Sequence, residues 1–277
     1  KHLKKLREVK TVTTQKFNEE RTFGVEIEFT TASRETVARL MKQKGLLAEV
    51  EGYNHFTRRY WKLITDSSCG FELVSPILKG RDGLNQLKLA TEALAEAGAK
   101  VDRNCGLHVH HDINDLDAKQ VANIYALYIK LEKTIDSFLP KSRRANNNIY
   151  CRSLFRFSDQ QRVLDQLKTV NTMEDINNIF RTRYIKLNLQ SYVKYGTIEF
   201  RQHSGTTEFE KIYNWILLTQ QMVEAGKTPV QKTYNEKTDT IQSLRNKLGL
   251  IAALGADEEI VQMLKWYRGR AKQLAAA

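Results

Sequence analysis

The segment Thr22-Phe-Gly-Val-Glu-Ile-Glu-Phe-Thr30 constrains this chain more than any other. Phe23, Val25, Ile27 and Phe29 alternate with Gly24, Glu26 and Glu28, and a strict period of two predicts a strand with one apolar and one polar face. Side chains two apart on a strand lie roughly 6.5–7 Å from each other. Glu26 and Glu28 therefore point the same way from a strand whose other face is fit for a core. Two like charges on one face repel, and cations nearby relieve that; hard divalent ions such as Mg²⁺ select such carboxylate oxygens. Taken alone, a strand of this kind is more often half-exposed with a solvated acidic face. The later segments change that balance.

The first twenty residues are polar and basic and read as an arm. Ser33 is placed to cap a helix with Val37, Leu40 and Met41 on one face, stopped by Gly45. Leu47–Val50 and Tyr60–Thr65 read as the strands of a hairpin, and Phe71–Ser75 as a strand after the turn Asp66–Gly70. A helix bearing Leu84, Leu87, Thr91 and Leu94 ends near Gly98. Cys105–Asp112 is strand-like, with His108, His110 and Asp112 on one face and Cys105, Leu107, Val109 and His111 on the other. Asp117 and Gln120 form the pattern of a capping box, ahead of a buried helix ending at Pro140. A loop from Lys141 to Phe157 carries five basic and no acidic residues. Short helices at Asp159–Lys168 and Met173–Phe180, strands at Tyr184–Tyr192 and Thr197–Gln202, and a strong helix from Phe209 to Gly226 follow. Helices are expected again at Thr238–Leu248 and Asp257–Lys272.

Laid side by side, the strands bring Glu26, Glu28, Glu72, His108, His110, Glu199 and Arg201 to one face. Carboxylates with one or two histidines suit Mg²⁺ or Mn²⁺ bridging phosphate oxygens, and Arg201 is placed to neutralise charge on a transferred phosphoryl group. Neither a Gly-x-x-x-x-Gly-Lys-Ser/Thr loop nor Gly-x-Gly-x-x-Gly occurs, so neither a P-loop nor a dinucleotide fold is indicated. The 277 residues are 41% hydrophobic, enough for a real core, and carry a net charge of +12. That charge favours an anionic partner, with nucleic acid among the candidates. Three cysteines in unpaired spacing argue against a disulfide framework and for a reducing, cytoplasmic setting. No apolar run approaches a membrane span or a signal peptide.

Phe-Gly-Val-Glu-Ile-Glu-Phe, Asp66-Ser-Ser-x-x-x-Glu72-Leu-Val-Ser-Pro, Cys-Gly-Leu-His-Val-His, Arg143-Arg-x-Asn with Tyr150-Cys-Arg, and Gly196-Thr-Ile-Glu-Phe-Arg-Gln-His-Ser-Gly-Thr together resemble the amidoligases. These are relatives of glutamine synthetase and glutamate–cysteine ligase found in bacteria and bacteriophages. The resemblance runs in order from about Phe23 to Thr206. It implies an α+β fold, a curved, mostly antiparallel sheet with helices on its outer side and Mg-ATP in the concave face. It further implies ATP-driven activation of a carboxylate as an acyl phosphate, followed by attack of an amine. By motif, Glu26, Glu28, Glu72, His108 and Glu199 become metal ligands, and His110 and Arg201 phosphate contacts. Arg143, Arg144 and Arg183 go to the nucleotide or acid pocket, with Tyr150 and Asn188 beside them, and Asp66 to the incoming ammonium group. ATP and Mg²⁺, or Mn²⁺ in its place, are the expected cofactors, and small or peptide-borne acids and amines the substrates.

The expected division is a basic arm at 1–20, a catalytic domain at 21–225 and a helical extension at 226–277 packed on it. Two rivals remain open: a two-metal nuclease or phosphohydrolase, and a non-catalytic relative that binds nucleic acid. His111 has the parity of the core, His203 stands close to Arg201 in sequence, and Cys105 invites a zinc reading that strand parity opposes.

Overall fold

In the computed structural model, residues 16–156, 158–238 and 257–277 are described. Seven strands form one sheet: β1 (Phe23–Phe29), β2 (Ala48–Val50), β3 (Trp61–Asp66), β4 (Gly70–Val74), β5 (Leu107–Asp112), β6 (Leu187–Asn188) and β7 (Thr197–Phe200). Their order is β2-β3-β4-β1-β5-β7-β6, antiparallel except for β2 with β3. The acidic strand is therefore near the middle of the sheet, with β4 and β5 as its neighbours. On its apolar face Phe23, Val25, Ile27 and Phe29 are each at most 2% exposed. Full burial of such side chains contributes about 1.5–3 kcal/mol each.

Helices cover that face. They are α1 (Arg34–Gln43), α2 (Gly80–Glu96), α3 (Ala118–Ser137) and α7 (Phe209–Gly226), and their apolar stripes join the strands in one core. Ser33 caps α1 through its side chain, and Asp117 with Gln120 closes the capping box that starts α3. Short α4 (Gln160–Leu167) and α5 (Met173–Phe180) flank α3, and α6 (Gln190–Tyr195) sits at the rim of the sheet. A last helix, α8 (Glu258–Ala276), buries Ile260, Met263, Leu264 and Tyr267. Tyr267 packs on Phe138, and Arg81 pairs with Glu259.

Several expectations are corrected. The hairpin of Leu47–Val50 with Tyr60–Thr65 is not one, because β2 and β3 run parallel. Residues 51–60 make the return crossing instead, and they do so over the polar face of the sheet. The strand Tyr184–Tyr192 reduces to two residues, after which Gln190–Tyr195 coils into α6 and ends on Gly196 at φ +67°. The arm does not extend to residue 20. Phe17 is 1% exposed under Arg81, and Asn18 bonds Gln220 and Glu224. Cys69 and Cys105 are joined in a disulfide, with Cα atoms 5.0 Å apart. Sequence spacing hides this approach, which arises because β4 and β5 flank the same strand. The reading of a reducing setting rested on unpaired cysteines and loses that support. The helix expected at Thr238–Leu248 and most of the basic arm lie outside the described residues.

Candidate active site

The polar face of the sheet is the floor of a cleft of about 580 Å³. Register explains which groups meet there. Glu28 lies opposite Glu72 across β1 and β4, Glu26 opposite His108 across β1 and β5, and His110 opposite Glu199 across β5 and β7. Because every strand contributes alternate residues, six charged or ligating side chains converge without any loop being needed.

Glu26 is the shared member. His108 Nδ1 lies 3.0 Å from Glu26 Oε2, and His110 Nε2 lies 3.5 Å from Glu26 Oε1. Two candidate cation groups follow, Glu26–Glu72–His108 and Glu26–His110–Glu199, each with its ligand atoms within 4.8 Å of one another. Glu28 stands behind the first. Its Oε2 accepts the Gly106 amide at 2.6 Å, and its Oε1 lies 3.7 Å from His108 Nε2. A Cβ at Gly106 would sit 3.1 Å from His108 Nε2 and 3.5 Å from Glu28 Oε1, so a side chain there would crowd both. Asn188 Nδ2 donates to Glu199 Oε2 at 2.7 Å and fixes that carboxylate.

The electrostatics are those of a face short of positive charge. Burial, and then the charges of Glu26, Glu28 and Asp66, push the Glu72 carboxyl well above the usual range. Burial also opposes ionisation of Glu26, yet the hydrogen bond to His108 and the nearby His110 imidazole hold its carboxyl well below the usual range. Burial lowers the His110 pKa, but Glu26 and Glu199 outweigh it and raise it. His110 Nε2 nevertheless makes no hydrogen bond of normal geometry and is aimed between two carboxylates. Carboxylate oxygens with imidazole nitrogens, and a buried nitrogen left without a partner, fit a hard divalent cation. Its binding would displace any proton from these ligands.

Arg201 is half-buried beside this centre. Its Nη1 donates to Glu199 Oε1 and its Nε to the Tyr150 carbonyl at 3.4 Å. Burial alone would lower its pKa; Glu199 and Glu26 raise it instead, so the guanidinium stays charged. Asp66 lies at the Glu72 end, where its Oδ1 accepts the amides of Ser68 and Cys69 at 2.7 and 2.9 Å. Arg183 lines the other flank, its guanidinium 5.1 Å above the Tyr184 ring.

The two arginines of the basic loop part company. Arg143 is buried in the cleft wall, where its Nη2 donates to the carbonyls of Asn104 and Cys105. It thereby holds the turn whose next amide caps Glu28. Arg144 does not line the cleft; its Nε bonds the Leu139 carbonyl at 2.8 Å. Arg143 ends a short 3-10 turn (Lys141–Arg143) and Arg144 leaves it in extended conformation, so the two side chains diverge and only one enters the cleft wall. Cys105, with its disulfide, stands apart from both histidines, and His111 is buried against Thr219. His203 packs on Trp215 with its Nδ1 on the Ser204 carbonyl at 2.7 Å.

Sequence reading overlooked Lys62. It is 3% exposed, faces the cleft, and donates to Asn54 O, Asn54 Oδ1 and Phe56 O at 3.0, 3.0 and 2.8 Å. Its parity with Asp66 along β3 was the available signal. Those bonds tie residues 51–60 down as a strap, which reaches the far rim where Lys194 Nζ and the Tyr195 hydroxyl donate to the His55 carbonyl.

A search of curated proteins returned no match. Among solved structures, a chain described as "Crystal structure of novel glutamine synthase homolog" aligns with a TM-score of 0.46 and 14% identity, over 93% of this chain and 67% of that one. A family model described as "Putative amidoligase enzyme" matches residues 19–223, a span that holds every cleft residue named above. The chain belongs to the amidoligase family.

Proposed function

We propose that this protein is an ATP- and Mg²⁺-dependent carboxylate–amine ligase working through an acyl phosphate, on a curved-sheet catalytic fold of the glutamine-synthetase type. The observation that carries the reading is the pair of carboxylate–histidine groups sharing Glu26, with Arg201 bonded to the outer carboxylate, Glu199. Glu26, Glu72 and His108 would hold one divalent ion and Glu26, His110 and Glu199 a second, with Glu28 supporting the first. Such ions, Mg²⁺ or Mn²⁺, supply charge neutralisation for the phosphate oxygens of ATP.

In the first step an oxygen of the acid substrate bonds to the γ-phosphorus of ATP and the bond to the ADP oxygen breaks. Arg201 offers a fixed, half-buried cation where negative charge grows, which is worth more in the transition state than in the ground state. In the second step the amine nitrogen bonds to the activated carbonyl carbon, and phosphate leaves with the C–O electron pair. We assign Asp66 to hold the incoming ammonium and take its proton, since it is the carboxylate at the Glu72 end without a histidine partner. Arg143 keeps the 104–106 turn in place, and the strap over the cleft limits access of water that would hydrolyse the intermediate.

The test is ADP release with Mg-ATP, a host metabolite extract as the source of acid and amine, and mass spectrometry of the products. ADP formation that needs both an acid and an amine, with a product one water lighter than their sum, supports the ligase. Release of phosphate or nucleotide with neither present would instead identify a phosphohydrolase or nuclease.

A further inference from the structure

Among the described residues, the exposed aromatic side chains collect at one place. Tyr53, Phe56, Tyr150 and Tyr184 are 60%, 62%, 44% and 40% exposed, and all four line the mouth of the cleft. Singly exposed rings need no explanation, but a ring of them around one opening marks a binding surface. Cations stand on these rings. Arg183 lies 5.1 Å above Tyr184, while Arg58 and Lys194 lie 5.5 and 5.6 Å from Phe56. The carboxylates that line the cleft are Glu26, Glu28 and Glu72 on its floor, with Asp66 and Asp112 engaged by neighbouring loop groups, and the one acid of the strap, Glu51, is already held by Arg58. The mouth is thus aromatic and cationic above an acidic floor.

We propose that this mouth binds a segment of single-stranded nucleic acid, which presents one of the two reacting groups to the cleft. Bases stack on any exposed ring, and phosphates follow cations set between the rings; this combination serves single strands, whose bases are free to unstack. The net charge of +12 adds the long-range attraction that a polyanion requires. A duplex would keep its bases paired and away from the rings. An acidic peptide would satisfy the cations but leave the four rings without a planar partner. The inference names the substrate class of the ligase reading and rests on it, but the binding it predicts is measured without turnover.

The experiment is fluorescence anisotropy of a fluorescein-labelled oligothymidylate of about twelve nucleotides, a length within the span of known single-strand sites, in EDTA, with salt varied from about 50 to 200 mM. An oligo-glutamate peptide of equal charge serves as control. Binding is expected to weaken linearly in log–log form as salt rises. Tyr184→Ala and Phe56→Ala, both exposed, should each weaken it about tenfold or more while leaving the melting temperature unchanged. Leu47→Ala, exposed but outside the cleft, should bind as tightly as the unaltered protein. The proposal is overturned if the oligonucleotide does not bind at low salt, if oligo-glutamate binds equally well, or if both ring variants bind as the parent does. Mg-ATP-induced thermal stabilisation of the same preparation separates the readings. Oligonucleotide binding without that shift removes the ligase and keeps the surface, and the reverse result does the opposite.

Discussion

Arg201→Ala is the most informative single substitution. The side chain is half-buried, and its two polar contacts are the Glu199 carboxylate and the Tyr150 carbonyl. Loss of the guanidinium leaves Glu199 with Asn188 at 2.7 Å and the two histidines within 3.9 Å, so the carboxylate is not stranded. Stability should therefore suffer little. Arginines that meet the transferred phosphoryl group contribute on the order of 10³–10⁵ in rate. Arg201 shares its charge with Glu199, so a lower bound of about a hundredfold in kcat, or roughly 2.7 kcal/mol, is the reasoned expectation. Lys at this position keeps the charge but loses the two-pronged geometry and should recover only part of the rate. The assay is kcat from ADP release with an acid–amine pair identified by mass spectrometry, beside the melting temperature and a Mg²⁺ titration. A variant with near-normal kcat and a lowered melting temperature would make Arg201 a structural ion pair and refute the reasoning.

Other predictions separate neighbouring residues. Arg143→Ala should raise the KM for ATP or the acid at least severalfold because the 104–106 turn loses its anchor, whereas Arg144→Ala, outside the cleft, should leave KM unchanged; equal effects would contradict the structure. Lys62→Met should free the strap, seen as faster proteolytic cleavage within residues 52–57, while an unchanged cleavage rate would show that the lysine does not hold it. Burial holds the His203 imidazole down at about 4, against an unfolded value near 6.5. The folded state thus prefers the neutral ring. Its contribution is complete above about pH 6.5 and declines as pH falls toward 4, by about 3 kcal/mol across the window. His203→Gln should remove that part of the acid sensitivity in denaturant melts at pH 7 and pH 4, and parallel loss in both proteins would argue against it.

Much of the site was legible because strands write their faces in plain alternation. The parity of β1 and β5 alone placed Glu26, Glu28, His108 and His110 on one side and His111 on the other, as found. The capping box at Asp117 likewise fixed the start of α3 from four residues. What sequence could not convey depends on long-range pairing. A ten-residue connection between two short apolar runs reads as a hairpin, and only the parallel pairing of β2 with β3 reveals that it crosses the cleft. Lys62 was hidden for the same reason, since its partners are the strap carbonyls. The run Tyr184–Tyr192 has strand-like composition, but Gly196 allows a left-handed helix end and the chain coils before it. The Cys69–Cys105 bond joins residues 36 apart that meet only because their segments border β1.

The acyl-phosphate step is tested most directly by isotope transfer. The acid substrate, labelled with ¹⁸O at both carboxylate oxygens, is turned over with Mg-ATP and the amine in ordinary water. One labelled oxygen should appear in the released phosphate and the other remain in the amide, because the carboxylate oxygen bonds to phosphorus before the C–O bond breaks. Phosphate carrying no label from the acid would mean that water attacks the nucleotide, and would contradict the ligase assignment.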